Sequence, residues 1–179
     1  MRDSLALLTD LYELTMAASY FKRGMNRSAT FDLFVRRLPK ERNFLVASGL
    51  ELALDYLSDF RFDEDSLDYL DSLDMFSDEF VSYLAGVRFT GDVWALREGE
   101  AAFGEEPLVS LNGPLIEVQL AESFLLNCIS SNTMVASKAA RIALACRDKA
   151  FVDFSLRRDH GGDAGMQAAR ASYIAGAAA

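Results

Sequence analysis

The chain of 179 residues has one histidine, two cysteines and no apolar run long enough to cross a bilayer. Each scarcity excludes something. His160 cannot form a metal site by itself, and Cys128 and Cys146 sit in alanine- and leucine-rich helical stretches, which suits buried free thiols in a reducing compartment. No signal peptide precedes Leu5, so a soluble cytoplasmic protein with no membrane partner is expected. Basic residues are also short: 18 Lys and Arg against 27 Asp and Glu leave a net charge of −9, which argues against a nucleic-acid partner. Internal repeats and low-complexity linkers are lacking too. With 51% of residues apolar, the chain can bury a sizeable core in one domain or slightly more.

Read in order, the chain predicts alternating helices and strands. Asp10 can cap a helix to about Lys22, with Glu13 reaching back to it, Leu11, Leu14, Ala18 and Phe21 in one stripe, and Gly24 as the stop. Residues 29–36 alternate as a strand, with Phe31, Leu33 and Val35 on one face and Arg36 ending the other. Residues 44–59 suit a helix with Leu50, Ala53, Leu54 and Leu57 inward. Two short acidic helices follow over 60–73 and 77–84. Strand character returns at 87–97, interrupted at Gly91-Asp92, and at 108–111, where Asn112-Gly113-Pro114 reads as a turn and a domain boundary. Helices are expected over 115–129 and 133–146, the second with Lys138 and Arg141 on one face.

Chemistry is advertised at 151–165. A short apolar run suited to a buried strand, 151–155, passes into a loop with Arg157, Arg158 and His160 before Gly161-Gly162. A helix follows from Asp163 or Ala164 to Ala175, with Met166, Arg170 and Ile174 at helical spacing. Guanidinium groups beside a helix N-terminus suit a phosphate or carboxylate, although adjacent arginines in a loop are also common as solvated charge.

Several strings together resemble the nicotinate phosphoribosyltransferase family. They are Thr9-Asp-Leu-Tyr-Glu-Leu-Thr-Met16, Ala29-Thr-Phe-Asp-Leu-Phe-Val-Arg-Arg-Leu-Pro39, Phe44-Leu-Val-Ala-Ser-Gly-Leu50, Glu105-Glu-Pro-Leu108, Lys138-Ala-Ala-Arg141 and Asp153-Phe-Ser-Leu-Arg-Arg-Asp-His-Gly161. Their order and spacing cover nearly the whole chain. The resemblance implies an α/β fold: an N-terminal α+β domain, 1–112, then over 113–179 the first, incomplete part of a type II phosphoribosyltransferase α/β barrel. It implies the joining of nicotinate to 5-phosphoribosyl-1-pyrophosphate, with ATP hydrolysis and Mg²⁺, to make nicotinate mononucleotide for NAD synthesis. Active sites would form across a dimer interface.

Residue by residue, the resemblance implies that Tyr12 covers the pyridine ring from a neighbouring subunit, with Asp10 beside it. It implies that Arg36 lies near substrate phosphates, that Phe154 stacks on the ring and that Arg157 meets the nicotinate carboxylate or the sugar phosphate. Arg158 and His160 are its neighbours. Ser155 stands where the family commonly has glycine, and Ile129-Ser-Ser-Asn-Thr133 replaces its usual Asn-Phe-Gln stretch. The family's phosphorylated histidine falls beyond Ala175 and is distinct from His160, so no catalytic residue and no metal ligand is assigned within the chain. A barrel takes roughly 200 residues or more, which the stretch after Pro114 does not provide. An enzyme chain working with a complementary polypeptide is therefore expected. The alternative is an inactive fragment or dimer-partner subunit docking through the helix from Asp10 to Phe21, and a nicotinamide-specific relative is a third reading.

Overall fold

The computed structural model describes residues 4–147 and 149–178. Its elements, in chain order, are α1 Leu11–Lys22, β1 Ser28–Phe34, β2 Leu45–Val46, α2 Leu50–Ser58, α3 Glu64–Ser72, α4 Asp78–Ala85, β3 Asp92–Ala95, β4 Ala101–Ala102, β5 Pro107–Pro114, α5 Leu115–Leu120, α6 Glu122–Cys146 and α7 Gly162–Ile174, with a single 3₁₀ turn at Leu156–Arg158. This is a mixed α/β chain, and no described helix is long and apolar enough to cross a membrane. It divides into two compact units. The first comprises Met1–Asp32, Leu52–Trp94 and Ser110–Leu126, and the second Leu33–Glu51, Ala95–Val109 and Asn127–Ala179.

The three-stranded sheet has the order β1-β5-β3, and most of its residues belong to the first unit. The period-two pattern of β1 holds, with Ala29, Phe31 and Leu33 half-buried and the alternate residues exposed. Arg36, expected to end this strand, lies two residues past it in a bend. The turn expected at Asn112-Gly113-Pro114 is absent: β5 runs through all three residues and α5 follows at once. Asn112 is held in the sheet by its own side chain, which donates to Thr30 Oγ1 at 2.7 Å and accepts from Ser28 Oγ at 3.2 Å. Gly113 serves close approach instead of turning, because a Cβ there would sit 2.9 Å from Gly91 Cα.

The helices of this unit bury Leu14 and Ala17 of α1, Leu70 of α3, and Phe80 and Leu84 of α4. Phe21 packs its ring 5.6 Å from Phe80 and 4.8 Å from Tyr83, and Tyr56 stacks on Phe124 at 3.8 Å. Two expected stripes are corrected. Leu11 is exposed while Glu13 is buried, and the inward face of α2 is Ala53, Tyr56 and Leu57, with Leu54 exposed. The caps of α3 and α4 are local: Asp63 accepts from the Ser66 N–H and Ser77 from the Phe80 N–H.

In the second unit β2 and β4 pair antiparallel, Leu45 opposite Ala102 and Val46 opposite Ala101. The predicted helix over 44–59 therefore begins only at Leu50. Gly49 adopts a φ of +99°, outside helical geometry, and its bare Cα lets it lie against α6, where a Cβ would meet Cys128 O at 3.0 Å. Polar residues of α6 bind β2 and the residue before it: the Val46 N–H donates to Ser137 Oγ at 2.9 Å, and Arg141 donates to the Phe44 carbonyl at 2.6 Å with its guanidinium over the Phe44 ring. Val46, Ala136 and Ala171 form the core cluster of this unit.

The two helices expected over 115–129 and 133–146 are also redrawn. The chain breaks at Ala121 and then runs as one helix of 25 residues, because nothing in Ser130-Ser-Asn-Thr133 stops it. Ser131 and Asn132 donate back to the Cys128 carbonyl within the helix. The strand expected at 151–155 is reduced to one bridge, Val152 with Ala178, parallel. Asp153 draws the chain into a turn here instead, accepting from the Ser155 N–H at 2.8 Å.

Candidate functional site

The loop after Phe151 is built by its short polar side chains. Asp153 also accepts from Ser172 Oγ of α7 at 3.3 Å, and Ser155 Oγ donates to Asp159 Oδ2 at 2.8 Å. Gly165 lets α7 approach the loop, since a Cβ on it would meet Leu156 Cδ1 at 2.5 Å and Asp159 Oδ2 at 3.1 Å. Gly161, at φ +109°, turns the chain into α7 with no side chain capping the first N–H groups.

Two open clefts flank this loop. One, of about 430 Å³, is lined by Arg158, Asp159 and His160 with Ala164 and Gln167 of α7 and Asn127, Ser131 and Asn132 of α6. The other, of about 400 Å³, is lined by Phe154 with Phe151, Ile142 and Met134 and carries two cations, Arg42 and Lys138, together with the carboxylates of Asp153 and Asp159, which are already bonded to Ser155 and Ser172. Phe154 is 75% exposed. The second cleft pairs an available aromatic face with two positive side chains, a combination suited to a flat anion. The first offers a guanidinium and an imidazole beside a helix N-terminus, with the Asp159 carboxylate among them.

The predicted residues are thus parted. Phe154 lines one cleft, Arg158 and His160 the other. Arg157 is exposed on the 3₁₀ turn and Arg36 in its bend, and neither lines either cleft. Arg42 is a cleft cation that sequence reasoning missed. Its signal was weak, a basic residue in the Arg36–Arg42 run with no periodic pattern. Arg170 was read only as a helical-period residue, yet its guanidinium pairs with Glu98 and Glu51.

Asp10 and Tyr12 belong to the first unit, where they meet the start of α6. The Asp10 N–H donates to Ser123 Oγ at 3.2 Å, and Ser123 Oγ lies 2.8 Å from Asp10 Oδ2 and 2.6 Å from Glu13 Oε1. Tyr12 donates its phenol proton to Glu122 Oε1 at 2.7 Å, and Gln119 Nε2 donates to the other Glu122 oxygen at 2.8 Å. Tyr12 is 46% exposed. Its phenol is pushed well above the ordinary tyrosine range, first by that bond to Glu122 and then by burial. The capping box expected of Asp10 and Glu13 does not form: Asp10 makes no side-chain cap, and Glu13 turns inward to accept from Thr9 Oγ1 and meet Ser123. Burial raises the Glu13 carboxyl.

These strings have counterparts in known proteins. The sequence profile of the nicotinate phosphoribosyltransferase (NAPRTase) N-terminal domain matches residues 7–130. The chain belongs to the nicotinate phosphoribosyltransferase family. A nicotinate phosphoribosyltransferase of Mycobacterium tuberculosis is 53% identical over 173 residues, covering 97% of this chain and 37% of the relative. That of Bacillus subtilis is 43% identical over 175 residues, covering 97% of this chain and 36% of the relative. The crystal structure of human nicotinic acid phosphoribosyltransferase superposes with a TM-score of 0.86 at 36% identity, over 94% of this chain and 35% of that one. The chain therefore spans little more than a third of the length of these family members, and its fold is that of the matching part.

Proposed function

We propose that this chain supplies part of the substrate site of an enzyme that joins nicotinate to 5-phosphoribosyl-1-pyrophosphate, forming nicotinate mononucleotide and pyrophosphate. Family membership supports the reaction class. The observation that carries the site is the cleft in which the exposed Phe154 ring is accompanied by Arg42 and Lys138. Phe154 offers a face for the pyridine, and the cations offer partners for its carboxylate.

In the reaction, the bond from ribose C1 to the pyrophosphate oxygen breaks and its electron pair leaves with pyrophosphate. The pyridine nitrogen lone pair forms the new bond to C1. Positive character builds on the sugar and negative charge on the leaving group, so the protein's work is to position reactants and supply cationic groups. Arg157 and Arg158 are proposed for the anionic groups of the substrates, with His160, Arg36, Asp10 and Tyr12 as further substrate contacts. Mg²⁺ is proposed for the whole enzyme, where it would neutralise the phosphate charge, and is not assigned to a residue of this chain. ATP coupling is proposed for the whole enzyme and not for a residue of this chain.

A second reading, a non-catalytic partner subunit, is favoured by α1, which exposes Leu11, Tyr12 and Met16 together with Leu8 before it. The two readings separate when this chain replaces the aligned segment of the Mycobacterium tuberculosis relative. In that chimaera Arg157→Ala and Phe154→Ala should each lower nicotinate turnover, while unchanged turnover in both would remove the loop from the site.

A further inference from the structure

Glu122 and Ser123 are consecutive residues opening α6; Glu122 holds Tyr12 in the first turn of α1 and Ser123 holds Asp10, the residue before it. We propose that Glu122 and Ser123 are positioning residues for Tyr12 and Asp10, and that Glu13 supplies the proton that completes the arrangement at Ser123.

The hydrogen-bond accounting at Ser123 leads there. A serine hydroxyl has one proton to give and two lone pairs to receive. One lone pair takes the Asp10 N–H. Two carboxyl oxygens remain, Asp10 Oδ2 at 2.8 Å and Glu13 Oε1 at 2.6 Å, and a single hydroxyl proton cannot serve both if both are ionised. The set closes when Ser123 donates to Asp10 and Glu13, as the neutral acid, donates to Ser123. Burial decides which carboxyl keeps the proton. Glu13 is 0% exposed, where a charge is costly, whereas Asp10 is at the surface.

Hydrogen bonds from Thr9 and Ser123 favour the ionised form of Glu13, but burial outweighs them, and the titratable groups facing it add no cation. Those groups are Asp10 and the Tyr12 phenol at the start of its own helix, Tyr56 of α2 and Glu122 of α6, all acidic. Burial raises its carboxyl in the same direction. Tyr12 is held differently. Glu122 presents one oxygen to the phenol while Gln119, itself buried, fixes the other, so the half-exposed Tyr12 is held at its polar tip. That its ring meets a substrate rests on the function proposed above; the geometry that holds it does not.

Carbon-detected NMR on the 179-residue chain tests both parts without any substrate. The Glu13 carboxyl carbon, assigned by its loss in Glu13→Gln, should remain in the protonated position after the exposed glutamates have ionised. Titration together with them would overturn the proton assignment in the wild-type chain alone. For the second part, ring-labelled tyrosine is read with the Tyr12 signal assigned by Tyr12→Phe. In the wild type the Tyr12 phenol should ionise at higher pH than an exposed tyrosine. Glu122→Gln, which keeps an acceptor oxygen and loses the charge, should retain the ring shift while its phenol ionises earlier. Glu122→Leu should lose both. A Tyr12 signal that titrates like an exposed tyrosine in the wild type, or that is unmoved in both variants, overturns the positioning role. If these signatures hold while the chimaera does not turn over nicotinate, the functional reading fails and the positioning stands; the opposite result reverses that conclusion.

Discussion

Arg170 grips Glu98 with both arms of its guanidinium, Nη1 to Oε1 at 2.8 Å and Nη2 to Oε2 at 2.6 Å. The same Oε1 accepts the backbone N–H groups of Gly49 at 2.7 Å and Leu50 at 3.1 Å, so one carboxylate ties α7 to the start of α2. Arg170→Met would leave that carboxylate without its cation, and the expected loss is about 1–3 kcal/mol of stability, read from urea unfolding. Arg170 holds the Glu98 carboxyl below the usual carboxylate range. The stability Glu98 contributes is therefore present above its unfolded pKa and lost as pH falls through its lower folded pKa. Arg170→Met should flatten this acid limb, and an unchanged acid limb would mean the pair is only incidental.

Gly113→Ala places a methyl group 2.9 Å from Gly91 Cα, and Gly91→Ala places one 2.5 Å from the Asn112 carbonyl oxygen. Both neighbours are backbone and cannot rotate away, so each substitution should cost about 1–3 kcal/mol through overpacking. A urea midpoint equal to that of the wild type in both variants would contradict the close approach of these two segments.

The thiols should separate in reactivity. Cys128 is 4% exposed, donates to the Gly49 carbonyl, and burial pushes its thiol up to about 11, whereas Cys146 is only half-buried. Labelling with an aromatic disulfide reagent under native conditions should modify Cys146 first and reach Cys128 only on opening of the structure. Equal rates would show that the α6 contact with Gly49 opens freely.

What the sequence revealed depended on how far each signal reaches. The alternation of β1 and the caps ahead of α3 and α4 are fixed by neighbours within a few residues, and those elements fall where pattern reading puts them. At Gly113, glycine in a turn and glycine under a crossing backbone look alike in the sequence until Gly91, 22 residues before it, is placed beside it. The apolar run from Phe44 to Gly49 carries no period of its own, so it reads as a continuation of the following helix until Leu45 and Val46 are paired with Ala102 and Ala101. The candidate loop was legible as a string, and so were Phe154, Arg158 and His160. Its division into two clefts was not, nor was the role of Arg42. Glu13 is the clearest case: its spacing from Asp10 suits a capping box, but Ser123, 110 residues further on, gives the carboxyl a different partner.

Whether these residues furnish a working part of a nicotinate phosphoribosyltransferase is measured most directly on the chimaera. This chain replaces the aligned segment of the Mycobacterium tuberculosis relative, and nicotinate mononucleotide formation is followed with saturating nicotinate, 5-phosphoribosyl-1-pyrophosphate, ATP and Mg²⁺. Product should form at a rate within about tenfold of the parent enzyme, a difference of roughly 1.4 kcal/mol in the barrier, and should be lost when the segment is omitted. A folded, dimer-competent chimaera that yields no product beside an active parent would contradict the account.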